Sequence, residues 1–335
     1  MFILKRLGLM VLTMVVSSFL VFSVNEFTPG SVASKTLGPY ASDAQKLILF
    51  ERLQLDDPFF FRYFRWLGVL TGVIEDPLGD PALNLHFTDP RGHQYFANFG
   101  YSTLYKAPVN DIIWKRLANT LALAGIAFAI IVPLSMLFGI LSGMSEGSVL
   151  DRTLSYTGIT LTSIPEFASG VMLMAIFVVW LGWLPGTSPL LELPEWSVAE
   201  QFVLPVLILV LYDFGYVARM VRGSMVEVMT RPYIRTAVLK GLPYRRVILK
   251  HGLRNAMIAP FTVILLQINF LITGVVVTEV VTGFPGFGRM LLDAALFGDI
   301  TLVEAATMVA VLIAVSTQLV GDVGYMYLNP RIRFT

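Results

Sequence analysis

Residues 219–254 read RMVRGSMVEVMTRPYIRTAVLKGLPYRRVILKHGLR. Nine of them are basic (Arg219, Arg222, Arg231, Arg235, Lys240, Arg245, Arg246, Lys250, Arg254), and the sole acid is Glu227. An apolar run lies on either side. Positive charge beside a membrane helix resists translocation, which assigns this segment to the cytoplasm. It is also patterned: apolar Val238, Leu239, Leu242, Val247, Ile248 and Leu249 recur on short helices, and Gly241-Leu242-Pro243 forces a turn between them. A helix, a turn and a second helix presented to the cytoplasm make a docking knob for a soluble partner. The bland alternative, a solvated basic loop, leaves those six apolar side chains unexplained.

Working outward, six stretches approach the ~20 apolar residues that cross ~30 Å of hydrocarbon: 7–26, 117–141, 160–184, 202–222, 258–281 and 303–327. Lys5 and Arg6 precede the first, and Arg331 and Arg333 follow the last. The connection 182–201 carries Glu192, Glu195 and Glu200 with no Lys or Arg. The reading is an all-α membrane protein of six transmembrane helices with both termini cytoplasmic. Trp66, Trp114, Trp180, Trp183 and Trp196 all fall on the outer side, and aromatic rings favour the headgroup level. The first apolar run, 7–24, is longer than a secretory h-region and lacks a small-x-small cleavage site, so a retained helix is expected.

Composition agrees. Hydrophobic residues are 56% of the chain and charged residues 14%, against ~25% charged in soluble domains. A net charge of +1 removes bulk attraction to nucleic acid, and zero cysteines remove disulfides and thiolate chemistry. His86, His93 and His251 are too scattered for a metal centre, and no cofactor is expected. No Lys follows a Gly, so a Walker A loop is absent and ATP hydrolysis must come from another chain.

The stretch after the first helix is too long for a turn and predicts an external subdomain. In it, Asp57 reads as an N-cap and Pro58 as a first helical residue. Phe59, Phe60, Tyr63, Trp66, Leu67 and Leu70 follow at helical spacing. Residues 75–97, rich in Asp, Pro, Gly and His, read as an inserted loop.

Within the spans, Pro165 predicts a break beside Glu166 in a helix otherwise about 48 Å long, a candidate pathway lining or a structural kink. Asp213 is two helical turns from Arg219 and Arg222, and both pairing with them and a pathway role stay open. Gln267 and Asn269 suit hydrogen bonding across helices or substrate contact. Glu279 reads as a structural anchor. Gly139-x-x-x-Gly143 is a weak signal of helix packing.

The cytoplasmic segment resembles the coupling-helix motif of ABC-importer permeases, E-A-A-x-x-x-G-x9-I-x-L-P. Arg235, Thr236 and Ala237 occupy its first three positions, Gly241 its glycine and Leu253 its leucine. Arg235, Thr236, His251 and Arg254 depart from it, in a form similar to the dipeptide/oligopeptide/nickel (DppB/OppB-type) subclass. Further similar stretches are LDDPFFFRYFRWL (55–67), RLANTLALA (116–124), SIPEFASGVMLMAIFVVWLGWLPG (163–186), ARMVRGSMVEVM (218–229), TEVVTGFPGFGRML (278–291) and NPRIR (329–333). The resemblance implies a permease in the cell inner membrane, paired with a second homologous permease as a heterodimer. It further implies two ATP-binding-cassette ATPase subunits and an external substrate-binding protein. Arg235, Thr236, Ala237, Lys240, Gly241 and Leu242 would contact an ATPase. The organisation implied is a first transmembrane helix over 1–27, an external subdomain over 28–113 with the 75–97 insertion, and a five-helix core over 114–335 carrying the coupling segment 223–257. Peptides or similar-sized solutes would be the cargo. A stand-alone secondary transporter is the alternative. It predicts inverted repeats and paired broken helices, of which the sequence offers one break and no evident repeat. A membrane enzyme lacks any Ser/His, paired-carboxylate or metal constellation within the spans.

Overall fold

The first apolar run forms α1 (Phe2–Phe27), and α2 (Asp43–Arg52) and α3 (Phe59–Leu70) follow. The computed structural model describes residues 2–27, 42–52, 54–71, 73–74, 99–102, 104–191, 194–273 and 275–328, some by backbone alone. The 75–97 insertion with His86 and His93, Glu192, and the 329–333 motif with Arg331 and Arg333 lie outside the described residues, as do the side chains of Lys5 and Asn269. Two compact units emerge: Met1–Asn119 with Gly286–Ser316, and Thr120–Pro285 with Thr317–Thr335.

In the first unit, α3 turns its aromatic stripe onto α1. Tyr63 is buried, its hydroxyl 2.8 Å from Ser18 Oγ, with its ring edge-on to Phe19 and Phe22. Arg62 donates to Glu26. The expected cap is corrected: Pro58 itself occupies the cap position, the helix starts at Phe59, and no side chain caps it. The Asp57 carboxylate instead accepts a charge-assisted hydrogen bond from Arg65.

Among the described residues, two short strands qualify the all-helical expectation. β1 (Tyr101–Ser102) and β2 (Ala107–Pro108) pair antiparallel and lead into α4 (Val109–Met144). The Asp299 carboxylate holds the turn between them, accepting from Ser102 Oγ at 2.6 Å and Leu104 N–H at 3.0 Å. Its other oxygen caps a helix at Leu302 N–H, 3.1 Å away.

At 36 residues α4 is about 54 Å long, starting well before the expected span. α5 (Val149–Ser163) starts on Ser148, whose hydroxyl accepts from Asp151 N–H. It stops where the residue before a proline is driven extended: Ile164 has φ −80° and ψ 126°. α6 (Glu166–Leu173) resumes and continues as a π-helical stretch, Met174–Trp180. The two halves meet at 97°, so the single span expected at 160–184 is a bent pair broken at Pro165.

α7 (Val198–Met229) opens with a reciprocal capping box between Ser197 and Glu200. It is the axis of the second unit. Leu209, Val210 and Phe214 pack with Leu123, Ile131, Leu271 and Phe284, while Val217, Val221 and Met225 pack with Ile248, Ala256 and Val263. α8 (Pro232–Leu239), α9 (Tyr244–Arg246), a π-helical turn (Val247–Gly252) and α10 (Leu253–Ala256) form the basic segment.

The span expected at 258–281 is divided into α11 (Ile258–Thr273) and α12 (Val276–Val281). On α12, Thr278 binds Glu166 and Glu279 binds Thr120. α13 (Phe287–Phe297) ends on Gly298 in the left-handed conformation, and α14 (Ile300–Leu328) follows.

Among the described residues, four helical stretches are long and apolar enough to cross a membrane: Arg6–Phe27, Val109–Met144, Val198–Met229 and Ile300–Val323. The bent pair supplies a fifth crossing if counted as one.

Candidate functional site: the basic hairpin and the helix break

The basic segment is a folded hairpin. Proline at its first helical position suits the start of α8. Gly241 makes the turn at φ +73°, a backbone conformation that side-chain-bearing residues resist. Its amide donates to Val238 O at 2.9 Å and that of Lys240 to Thr236 O at 3.1 Å. Ile234, Ala237 and Val247 form a small core closed by Met229 and Leu242. Ser224 Oγ ties Ala256 O to α7 at 2.5 Å, and Asn255 reaches the Tyr233 hydroxyl at 3.2 Å.

What remains outside is apolar and basic together. Leu239 is 81% exposed, and Val238, Tyr244 and Leu249 are exposed beside it. Of the six expected contact residues, Arg235, Thr236, Lys240 and Gly241 are exposed and Leu242 is half-buried. Ala237 turns inward to the hairpin core. Leu239, at the crown, was an apolar position in the pattern; its place is visible only once the hairpin closes.

An ion pair that the sequence did not disclose stands next to the hairpin. Arg222 donates from Nε and Nη2 to Asp151, at 2.6 and 2.8 Å. Asp151 also accepts from Ser142 Oγ and from Gly147 N–H at 2.9 Å. Asp213 is therefore not the partner of Arg222.

A second locus forms at the break between α5 and α6. Glu166 accepts from Thr278 N–H at 3.1 Å and from its hydroxyl. Asp213, 5% exposed on α7, meets the Gln267 amide from α11 and lies within electrostatic reach of Glu166. Three of the five expected pathway candidates are thus gathered at Pro165's break, and Asn269 gives no side chain to place. Glu279 is the anchor expected of it, fully buried and accepting from Thr120 Oγ1 at 2.5 Å. Among the described residues no group of three or more His, Asp or Glu is arranged to hold a metal ion.

Residues 135–334 match the family of binding-protein-dependent transport system inner membrane components. The chain is 35% identical to the glutathione transport system permease protein GsiC of Salmonella paratyphi A (strain ATCC 9150 / SARB42), over 99% of each chain. It is 30% identical to the oligopeptide transport system permease protein AppB of Bacillus subtilis (strain 168), over 95% of this chain and 94% of that one. The fold is similar to that in a crystal structure of an amino acid ABC transporter with histidines. The TM-score is 0.50 at 15% identity, covering 65% of this chain and 94% of the other.

Proposed function

The chain belongs to the family of binding-protein-dependent transport system inner membrane components, and from that membership we propose how its parts serve transport. It is a multi-pass permease subunit of an ABC importer, a membrane component that works with an ATPase and a binding protein. Peptide-sized solutes are the proposed cargo, a reading supported by the oligopeptide and glutathione named for its relatives.

The finer reading has six crossings, the bent pair α5–α6 and the pair α11–α12 each serving as one, with both termini in the cytoplasm. Residues 1–27 would be the first crossing, 28–113 an external subdomain, and 114–335 the core. ATP hydrolysis takes place on two partner ATPases, and a second, homologous permease completes a heterodimer in the inner membrane. The external binding protein delivers the solute.

One observation carries the coupling assignment: a hairpin with its own core presents Leu239, Val238 and Tyr244 to water among basic side chains. Apolar groups held out in this way favour a partner's cleft. ATP-driven approach of the ATPases would push on that crown. The hairpin is packed onto Met229 at the end of α7, so the push reaches α7 and biases a two-state bundle.

Gentle affinity purification from membranes tests this reading. The wild-type chain should bring a second permease and ATPase chains at stoichiometric yield, and Leu239→Glu should lose the ATPases while keeping the permease partner. Recovery of the chain alone, in several mild detergents and lipid discs, would shift the reading to a secondary transporter.

A further inference from the structure

The most unusual chemistry in the second unit is two mid-span carboxylates that no Lys or Arg pairs with among the described residues. Asp213 is the sixteenth residue of the 32-residue α7, about 24 Å from either end. Asp213 Oδ2 is buried without a hydrogen-bond partner, although its carboxylate meets Gln267. Glu166, oriented by Thr278 N–H and hydroxyl, lies within electrostatic reach of Asp213. Among the described residues, no Lys or Arg pairs with either carboxylate. A buried polar oxygen without a partner costs roughly 1–3 kcal/mol, and ionisable groups inside membrane spans mark solute paths.

The adjoining backbone points the same way. Between Ser163 and Glu166 the helical ladder is broken and turned through 97°. Ser163 and Pro165 are exposed there. Non-helical backbone at membrane depth persists only against protein or water. The break therefore opens onto a neighbouring subunit or onto an aqueous path, with acceptor-rich side chains immediately behind it.

We propose that Glu166 and Asp213, held by Thr278 and Gln267 behind the α5–α6 break, form a station in the translocation path that receives the ammonium group of a passing solute. The proposal rests on the permease reading and adds a substrate class to it: solutes carrying a primary ammonium, such as peptides with a free amino terminus. An ammonium brings three donors and no acceptor. It supplies what Asp213 Oδ2 lacks, and Thr278 keeps the Glu166 carboxylate in place to share it. An anionic group at the same position would meet two carboxylates and no cation. The station needs no tight affinity. Selectivity here is a charge filter during passage, separate from whatever the binding protein selects.

The chain contains no cysteine, so a single introduced thiol reports on its own surroundings. In the purified complex with its ATPases, Ser163→Cys at the break would be treated with a trimethylammonium-bearing methanethiosulfonate or a sulfonate-bearing one during ATP turnover. Each rate is divided by that of the same reagent with free thiol. The cationic reagent should react about tenfold or more faster, as expected of a focused negative field. Near-isosteric Asp213→Asn and Glu166→Gln together should bring the ratio close to one. Tyr216→Cys, one turn from Asp213 and 47% exposed, gives the same comparison should Ser163→Cys fail to assemble. Equal rates for the two reagents, a preference untouched by the double substitution, or no labelling of either thiol in any state would overturn the station. Retained ATPase chains and ATP hydrolysis in those samples would leave the permease reading standing, whereas their loss from the wild-type complex would remove that reading instead.

Discussion

Arg222 and Asp151 stand 71 residues apart in sequence, yet two hydrogen bonds join them. The pair ties the first turn of α5 to the last turns of α7, just before the hairpin begins. A movement delivered to the hairpin is thereby shared between two helices, one of which leads directly into the break at Pro165.

Removing one member should therefore cost stability and coupling together. Arg222→Met leaves the buried Asp151 without its cation, held by Ser142 and Gly147, and a loss of about 2 kcal/mol is expected. That is below the ~3–5 kcal/mol of a fully buried pair because the Arg222 side chain is 32% exposed. Arg222→Lys should recover charge without the two-pronged geometry and so only part of the loss. Thermal unfolding of the purified complex measures the first effect, and solute moved per ATP hydrolysed measures the second.

At Gly241 the constraint is backbone conformation, since no atom lies within 4 Å of where a Cβ would stand. Asn tolerates φ +73° better than a β-branched residue does. Gly241→Asn should keep ATPase association within about twofold, and Gly241→Val should reduce it about tenfold, at roughly 1–2 kcal/mol of strain. A bulky residue there should uncouple ATP hydrolysis from uptake. Equal coupling in both variants would show that the turn is not what the partner requires.

Gly139 and Gly143 present the opposite situation. A Cβ on Gly139 would stand 2.5 Å from Val221 Cβ and 2.7 Å from Ala218 O, and one on Gly143 would stand 2.6 Å from Met225 Cβ. Gly139→Val should destabilise by about 1–3 kcal/mol through overpacking. Gly125, on the same α4 with nothing within 4 Å, is the control, and Gly125→Ala should be neutral or slightly stabilising. Melting temperatures of the two variants decide this.

On α3, Tyr63→Phe should remove the bond to Ser18 while leaving the edge-on ring contacts with Phe19 and Phe22. A loss of about 1 kcal/mol is expected. Ser18 Oγ still donates to Val15 O at 2.8 Å, so adding Ser18→Ala should change little, whereas Ser18→Ala alone strands the buried Tyr63 hydroxyl and should cost at least as much. Denaturation midpoints of the two single variants and the double variant check it.

Local pattern explains what could be read in advance. The proline at 165 breaks its helix because the residue before it cannot stay helical, and the glycine at 241 makes its turn because few other residues hold positive φ; both effects are written within two or three residues. The basic segment's position between apolar runs was equally plain, and the glycine pair on α4 was visible but ambiguous. Distant partners were not legible. Nothing near Asp151 announces Arg222, and nothing near Glu166 announces Thr278, 112 residues away. The chain is apolar on both sides of the boundary between α11 and α12, so hydropathy merged them into one span. Asp57 fits a capping pattern, but its carboxylate is taken by Arg65, two turns along α3.

The crown of the hairpin also bears on the life of the newly made chain. Leu239, Val238 and Tyr244 are held outward by a core built from the chain's own side chains, so the subunit displays an apolar patch wherever its partner is missing. A copy waiting for its ATPases is then a target for self-association and for chaperones, and its abundance is expected to follow that of its partners. Matched synthesis of the subunits becomes a physical requirement of this surface, set by three side chains that have nowhere of their own to go.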